Sequence, residues 1–253
     1  AGGWRISDCK NRGALTWFLS DLVPGAGWGL VDAVGRPKSA WFYLRRAWQP
    51  RAVWLVDVGL DGLTVHIAND PDSELRGTLE VTVLGANDTV VATAATAVDV
   101  APRSHRTWNI DALIGRFCDP TYAYRFGKRT VHVVATRLIA SNGSVVSEDC
   151  YFPERLPSEQ HTDPKLQAVV TQAEAPAGVS RFDVTFRSER FCQAVAVDAP
   201  GFEPSDNYFH LLPGAEKTIQ LRGPDAQRGP DAQRLRGYAQ PFNSATSVRL
   251  SAP

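Results

Sequence analysis

The most unusual absence in this 253-residue sequence is methionine, of which it has none. A chain without methionine lacks an initiator residue, so we expect it to be a processed or trimmed part of a longer polypeptide. Its first five residues show neither the basic start nor the apolar core of a signal peptide. No apolar run reaches the roughly 18 residues that a membrane-spanning helix needs, and we therefore expect no membrane partner.

An excess of either sign of charge is also missing, because Lys+Arg and Asp+Glu each number 27. The chain therefore has no net charge that would attract nucleic acid or an anionic membrane. Hydrophobic residues make up 43% and charged residues 21%, which is typical of a globular protein and excludes a disordered or collagen-like chain. The length allows about two domains.

Spacings typical of metal or redox sites are missing as well. The four cysteines form no C-x-x-C pair, and the five histidines show neither H-x-H nor H-E-x-x-H spacing. We therefore expect no metal site and no cofactor. One disulfide, for example between Cys118 and Cys150, remains open. Free thiols in a reducing compartment are favoured over it, and with them a cytoplasmic location.

Residues 51–155 have the two-residue periodicity of half-buried β-strands. Runs rich in β-branched residues are separated by turn sequences such as Asp61-Gly62 and Asn142-Gly143. The predicted strands cover residues 52–58, 63–69, 77–84, 90–100, 106–110, 130–139 and 144–152, and a short helical turn is predicted at 111–117. About seven strands in about 100 residues indicate an immunoglobulin-like sandwich, although the Cys…Trp…Cys pattern of true immunoglobulin domains is absent.

A second, shorter β region at residues 165–253 follows a proline-containing linker at 153–164. Its predicted strands cover residues 166–172, 180–187, 191–197, 217–221 and 246–250. Within it, residues 222–227 are repeated exactly at 228–233. We interpret this repeat as the lengthening of a hairpin loop and assign it no function.

Residues 1–50 differ from the rest, since six of the seven tryptophans lie at or before residue 54. A short apolar strand is predicted at 14–19, followed by a Gly/Pro-rich loop at 21–29 and a second apolar piece at 30–32. One-sided apolar spacing then predicts an amphipathic helix at about 38–48, with Arg36 and Lys38 serving the turn and the helix start. Such a βα unit needs neighbouring strands, so we expect that a preceding part of the protein supplies them.

Two anchors along the chain resemble one family. The first consists of G-A-L-T-W-F-L-S-D at residues 13–21, P-G-A-G-W-G-L-V-D at 24–32 and G-R-P-K at 35–38. It resembles the last βα unit of the (β/α)8 barrel in glycoside hydrolase family 2, most closely in the β-mannosidase-like members. The second, S-D-N-Y-F-H-L-L-P-G at residues 205–214, resembles a segment of that family's last β-sandwich.

This resemblance implies a mainly β protein with two immunoglobulin-like β-sandwich domains preceded by the last βα unit of a (β/α)8 barrel. The barrel end would occupy residues 1–50, the first sandwich 51–155 and the C-terminal sandwich 165–253. It implies the C-terminal segment of a retaining exo-β-glycosidase that hydrolyses terminal β-linked sugars. The expected partners are the N-terminal part of the same enzyme and the carbohydrate substrate.

The catalytic groups are expected outside this chain. Retaining glycosidases need two carboxyl groups about 5–5.5 Å apart, and the resemblance implies that two glutamates on earlier barrel strands supply them. Residues 1–60 contain no glutamate. We therefore predict no catalytic residue here and no glycosidase activity for this chain alone.

One wall of the sugar pocket is expected at Trp17, Asp21 and Trp28. The resemblance places Trp17 under the non-reducing sugar, where a flat aromatic ring suits the apolar face of a pyranose and carboxylates take its hydroxyls. The alternatives are barrel core for Trp17, loop capping for Asp21 and loop packing for Trp28. For residues 206–209, a turn that leads an aromatic pair into the core is favoured over a sugar or calcium contact. As a whole, the chain has one alternative function, that of an autonomous carbohydrate-binding or structural β-sandwich module.

Overall fold

The structure, a computed structural model, describes residues 5, 14–155, 160–161, 163–175, 179–225 and 234–252. The described residues are mainly in antiparallel β-strands, with two short α-helices, α1 (Ser39–Ala47) and α2 (Ile110–Ile114). Neither helix is long and apolar enough to cross a membrane. The chain divides into two compact units, Ala1–Leu156 and Pro157–Pro253. Strands are labelled β1 to β15 in chain order.

Unit 1 contains a sandwich of two antiparallel sheets. The three-stranded sheet has the order β1-β2-β5, and its strands are Arg51–Asp57, Leu63–Asn69 and Ser104–Asn109. The four-stranded sheet has the order β4-β3-β6-β7, and its strands are Val90–Val100, Leu75–Leu84, Val133–Ala140 and Val145–Tyr151. Helix α2 directly follows β5 and overlaps the helical turn predicted at residues 111–117.

The core of unit 1 lies between its two sheets. Successive side chains of a strand point to opposite faces, so the alternate apolar residues of each sheet meet in one layer. The fully buried members include Leu63, Val65 and Ile67 of β2, Leu79, Val81 and Val83 of β3, and Ile110 at the start of α2. The period-two pattern of residues 51–155 therefore has a direct structural cause.

Two polar side chains of β7 bind the backbone of β1, which belongs to the other sheet. The hydroxyl of Ser147 accepts the N–H of Val53 at 3.1 Å, and the carboxylate of Asp149 accepts the N–H of Leu55 at 2.8 Å. Edge strands carry unpaired backbone groups, and here side chains of the facing sheet satisfy them. The edge of the sandwich is closed in this way.

Unit 2 is a second sandwich with two four-stranded sheets. One has the order β12-β10-β14-β15, with strands Phe209–Leu211, Cys192–Asp198, Arg236–Gln240 and Val248–Ser251. The other has the order β11-β13-β9-β8, with strands Glu203–Pro204, Glu216–Asp225, Val179–Arg187 and Gln167–Gln172. Phenylalanines from both sheets, Phe182, Phe186 and Phe209, lie in its core. The expectation of a mainly β chain with two sandwiches is confirmed.

Helix α1 confirms the helix predicted at about 38–48. Its Phe42 is buried, and its C-terminus is closed by Arg5, whose guanidinium donates to the carbonyls of Ala47 and Gln49 at 2.8 Å each. A cation at this end also suits the negative pole of the helix dipole. Arg5 pairs in addition with Asp70 at 2.8 Å, beyond the end of β2.

The strand predicted at residues 14–19 is not formed. Val31 makes isolated bridges to Ser20 and Pro37, and these are the β-type pairings recorded in the described residues up to 50. A strand needs a ladder of partners for its N–H and C=O groups. In the described part of the chain, Leu30 and Val31 donate to the carbonyls of Phe18 and Leu19 at 3.4 and 3.0 Å, but residues 14–19 belong to none of the sheets. The barrel unit therefore stays a prediction.

Three strands of unit 2 escaped the sequence analysis, namely β11, β12 and β14. The first two have only two and three residues, too few for a periodic pattern to be visible. Of the hexapeptide repeat, residues 222–225 belong to β13, and residues 226–233 lie outside the described part of the chain.

Candidate functional site: a closed loop that carries two exposed tryptophans

Asp21 is the buried member of the three predicted site residues. Its Oδ1 accepts the N–H of Gly29 at 2.7 Å, and its Oδ2 accepts a hydrogen bond from the ammonium of Lys38. Lys38 Nζ also donates to the carbonyl of Gly27 at 3.0 Å. The hydrogen bond from Lys38 is the main cause that holds the pKa of the Asp21 carboxyl below its usual value. The backbone hydrogen bond from Gly29 is the second cause. Asp21 is thus ionised and closes the loop between itself and Lys38.

The segment around Trp28 needs glycine at two positions. A Cβ atom on Gly29 would lie 2.6 Å from the backbone nitrogen of Asp21, and one on Gly27 would overlap the Asp21 carboxylate. Both positions are closer than any real Cβ contact, so a side chain there would push Asp21 out of place. The glycines of the P-G-A-G-W-G segment therefore allow the buried carboxylate to reach the backbone.

Trp17 and Trp28 present their side chains to solvent, with 76% and 81% of their surface exposed. The ring of Trp17 stacks on Phe18 with 5.4 Å between centroids, and the peptide bond that joins them is cis. Trp28 stands between the two glycines that pack against Asp21. The structure thus brings Asp21 to the segment that carries Trp28, and leaves both indole rings open to a ligand or to another part of the protein.

Lys38 is the residue of this loop that sequence reasoning missed. It was expected only to serve the helix start, and it is indeed the residue before α1. Its ammonium instead reaches back to Asp21, 17 residues earlier in the chain. No local sequence pattern indicates this pair, because the turn between the two residues brings them together. In that turn, Asp32 accepts the N–H groups of Val34 and Arg36 at 2.9 and 2.8 Å.

The segment at residues 206–209 has a structural role. The side-chain amide of Asn207 accepts the N–H of Val197 at 2.7 Å and donates to the carbonyl of the same residue at 2.9 Å. Asp206 pairs with Lys217 at 3.1 Å, and Phe209 is buried in the core of unit 2. These contacts favour the turn that leads into the core over a sugar or calcium site.

Among the described residues, no three His, Cys, Asp or Glu side chains stand close enough together to hold a metal ion. His66 is buried in β2, and its Nδ1 lies 3.2 Å from Nε2 of His105. Burial, and secondly the neighbouring His105, lower the pKa of His66 to about 4. The disulfide that the sequence left open between Cys118 and Cys150 is not formed.

Two family models match consecutive parts of the chain. Residues 61–156 match the Mannosidase Ig/CBM-like domain, and residues 161–236 match the Ig-fold domain of mannosidases. Together the two matches cover about two thirds of the sequence. Each match falls on one of the two sandwiches.

Curated relatives and solved structures agree with these matches. The chain is 24% identical over 253 residues to β-mannosidase B of Aspergillus clavatus and 26% identical over 240 residues to that of Aspergillus flavus; 87% of the chain is covered in both cases. It spans 27% of the length of these relatives.

Among solved structures, the exo-chitosanase of Amycolatopsis orientalis superposes with a TM-score of 0.74 at 16% identity, covering 98% of this chain and 32% of that one. The β-D-mannosidase of Dictyoglomus thermophilum gives a TM-score of 0.71 at 16% identity, covering 98% and 28%. At this identity the superpositions show a shared fold. The two domain matches, in their order along the chain, identify residues 61–156 and 161–236 as immunoglobulin-like domains of the mannosidase type, and with the curated matches they support a C-terminal fragment of the β-mannosidase-like kind in glycoside hydrolase family 2.

Proposed function

We propose that this chain is the C-terminal segment of a retaining exo-β-glycosidase that removes terminal β-linked sugars, with mannose as the preferred sugar. The observation that carries the proposal is the order of the two mannosidase domain matches, at residues 61–156 and then 161–236. The curated relatives that match 87% of the chain are β-mannosidases, which supports mannose as the sugar.

In this proposal, residues 14–48 complete a (β/α)8 barrel whose other strands lie in the rest of the enzyme. Two features of the structure support it. Helix α1 is formed, while the apolar residues 14–19 belong to none of the sheets of the described residues. In addition, Leu15 and Leu22 expose their side chains almost fully, as residues of an unpaired barrel strand and loop would.

Trp17, Asp21 and Trp28 form one wall of the sugar pocket in this arrangement. The open indole rings of Trp17 and Trp28 offer flat apolar faces to a pyranose. The carboxylate of Asp21 is bound to Lys38 and Gly29, so its contribution is to fix the loop that presents Trp28. Loop ends at the C-terminal face of barrel strands are where such enzymes build their sites.

Bond cleavage is assigned to the rest of the enzyme. A retaining mechanism needs an acid/base and a nucleophile, both carboxyl groups, on either side of the glycosidic bond. Residues 1–60, which include the predicted barrel end at 1–50, contain no glutamate. The chain therefore positions the sugar and supports the barrel, and it has no hydrolytic activity by itself.

The proposal is tested by recombination of the two parts. The chain is mixed with the N-terminal part of a β-mannosidase of this family, truncated before its last barrel strand. We expect hydrolysis of an aryl β-mannoside by the mixture and by neither part alone. An aryl β-glucosaminide, assayed in parallel, reports whether mannose is the correct sugar. A co-purifying complex that hydrolyses neither glycoside would refute the proposal.

Two tryptophan variants separate the proposed wall from the proposed function. Trp17→Ala is expected to raise KM of the recombined enzyme about tenfold, because the sugar loses an aromatic contact of about 1 kcal/mol and a buried apolar surface. The matched control is Trp48→Ala, since Trp48 is partly exposed at the end of α1 and outside the loop. Equal KM values for the two variants would remove Trp17 from the wall and leave the function intact.

A further inference from the structure

A cleft of about 280 Å³ opens in the first sandwich. Its lining residues lie between positions 60 and 124 and are distinct from the loop that carries Trp28. Its lining comes from the turn between β1 and β2, from α2, and from the segment between α2 and β6. The residues used below are Leu60, Asp61, Asp111, Phe117, Asp119 and Tyr124. The volume is just below the usual range of about 300–1,000 Å³ for small-molecule sites, which suits a ligand of one or two sugar rings.

The segment that lines the cleft is held in place by its own aspartates. The carboxylate of Asp119, buried in the segment, accepts the N–H groups of Ala123 and Tyr124 at 2.9 and 3.2 Å. Asp111, on α2, accepts the N–H of Cys118 at 2.9 Å. These bonds fix a stretch without regular secondary structure, so the cleft is shaped before any ligand arrives.

Two aromatic rings stand in the cleft with 58% of the surface of each residue exposed, Phe117 and Tyr124. They contact each other edge to face, with 5.8 Å between centroids. The hydroxyl of Tyr124 donates to the carbonyl of Leu60 at 2.8 Å, which fixes that ring to the opposite side of the cleft. Rings held in a defined orientation and exposed to solvent form a binding platform, because a loop that only needed an apolar plug would bury them.

The charges around this platform select the ligand. Asp61 and Asp111 are among the residues that line the cleft, and their negative charge disfavours phosphates and other anions. The described residues hold no group of three or more ligands fit for a metal ion. The guanidinium of Arg125 lies 5.9 Å from the centre of Phe117 and 3.9 Å from the Asp119 carboxylate, so it already takes the cation position on that ring. A neutral ligand that has hydroxyl donors and an apolar face fits such rings beside carboxylates, and a pyranose has both.

We propose that this cleft is a carbohydrate-binding subsite of the first sandwich, which takes one or two rings of a neutral β-linked oligosaccharide. Phe117 and Tyr124 stack on the apolar face of the ring, and the carboxylates of Asp61 and Asp111 accept its hydroxyl groups. The site is built from other residues than the tryptophan wall and does not depend on the recombined barrel. Because it needs no catalytic part, it is expected to bind sugar in this chain alone.

The test is sugar binding by the full chain that carries Trp17→Ala and Trp28→Ala, so that the tryptophan wall does not contribute. The probes are β-1,4-mannobiose and, for cations, tetramethylammonium chloride, titrated into the millimolar range by calorimetry or ligand-observed NMR. We expect mannobiose to bind, with an affinity that does not change with salt, because no net charge is neutralised.

Added to this double-variant chain, Phe117→Ala is expected to weaken mannobiose binding about five- to tenfold, since it removes one stacking ring. Asp61→Asn, at an exposed turn position, is expected to weaken it less. The matched control is Phe126→Ala, a fully exposed aromatic residue of the same segment outside the cleft, which is expected to have no effect. The proposal is overturned if mannobiose does not bind, if Phe117→Ala and Asp61→Asn both leave binding unchanged, or if only tetramethylammonium binds, with salt-dependent affinity.

Discussion

At the scale of single residues, aspartates in unit 1 act as acceptors for backbone N–H groups. Asp21 binds Gly29, Asp119 binds Ala123 and Tyr124, and Asp149 binds Leu55. Backbone donors away from a helix or a sheet ladder still need a partner, and a carboxylate is the strongest acceptor that a side chain offers. The same residue type that suggests chemistry in the sequence therefore builds loops and edges in the structure.

Asp149 gives this role a pH dependence. Burial raises its pKa from 3.8 to about 6, against the opposing hydrogen bonds from the backbone of Leu55 and Cys150. A group with a raised pKa in the folded state binds its proton more tightly there than in the unfolded state. Its contribution to stability is therefore complete below about pH 4 and is lost as the pH rises through about 6.

We accordingly predict that Asp149→Asn raises the free energy of unfolding at pH 7.5 and flattens its decrease between about pH 4 and 6. The amide oxygen of the variant can still accept the N–H of Leu55, so the seam between β7 and β1 is kept. Urea titrations of both proteins at a series of pH values measure the effect. Thr93→Ser, at an exposed position of β4, neither adds nor removes a titratable group; it is the control and should leave the profile unchanged. If the Asp149→Asn variant and the parent chain have the same profile, the pH dependence of stability does not come from Asp149.

At the scale of elements, the loop from Asp21 to Lys38 is the best-determined part of the predicted barrel unit. Its backbone is paired by the bonds from Asp21 N to Val31 O and from Val31 N to Leu19 O, both 3.0 Å. Asp21 and Lys38 then lock the two ends together, over two glycines that leave room for the carboxylate. A loop closed by its own hydrogen bonds can keep its shape although the apolar residues 14–19 before it belong to none of the sheets of the described residues.

The second prediction concerns Gly29→Ala in this loop. The added methyl group would meet the backbone of Asp21 at 2.6 Å and must displace it, at a cost of about 1–3 kcal/mol to the loop. We expect faster hydrogen exchange at the amides of Asp21, Val31 and Lys38, with unchanged exchange in the core of unit 1. Ala26→Ser, at an exposed position of the same loop, serves as the control. Unchanged protection in Gly29→Ala would show that the close approach is not required.

At the scale of the whole molecule, each unit has its own apolar core, and all seven tryptophans belong to unit 1. Tryptophan fluorescence therefore follows the unfolding of unit 1 alone, whereas far-UV circular dichroism follows both sandwiches. A domain with its own core can fold alone. The two probes can thus separate the stabilities of the two units.

We predict that residues 157–253, produced alone, fold and unfold cooperatively in urea. We also predict that fluorescence and circular dichroism of the full chain give transitions that do not coincide. Residues 1–156, produced in the same way, are the control and should reproduce the fluorescence transition of the full chain. An unstructured second unit, or coincident transitions together with loss of both isolated folds, would contradict independent cores.

The sequence predicted the sandwich strands well where they are long and alternate, as in β2, β4 and β9, because alternation reports a buried and an exposed face directly. It also predicted helix α1, because apolar residues that recur every three to four positions mark the buried face of a helix. It missed β12, which has three residues, and the strand that it predicted at residues 14–19 is not formed in the described residues and stays a prediction for the complete barrel. Apolar composition marks a segment for burial, but a strand exists only where another strand accepts its hydrogen bonds.

By itself, the sequence determined the mainly β character, the two sandwiches, the helix and the absence of glutamate from residues 1–60. These follow from local composition and periodicity, which the chain carries whatever its surroundings. Only the tertiary structure decided that Asp21 binds Lys38, that Tyr124 donates to the carbonyl of Leu60, and that the exposed ring of Phe117 contacts Tyr124. Such groupings join residues up to some 60 positions apart, and their spacing in space is set by the folded sheets and turns between them.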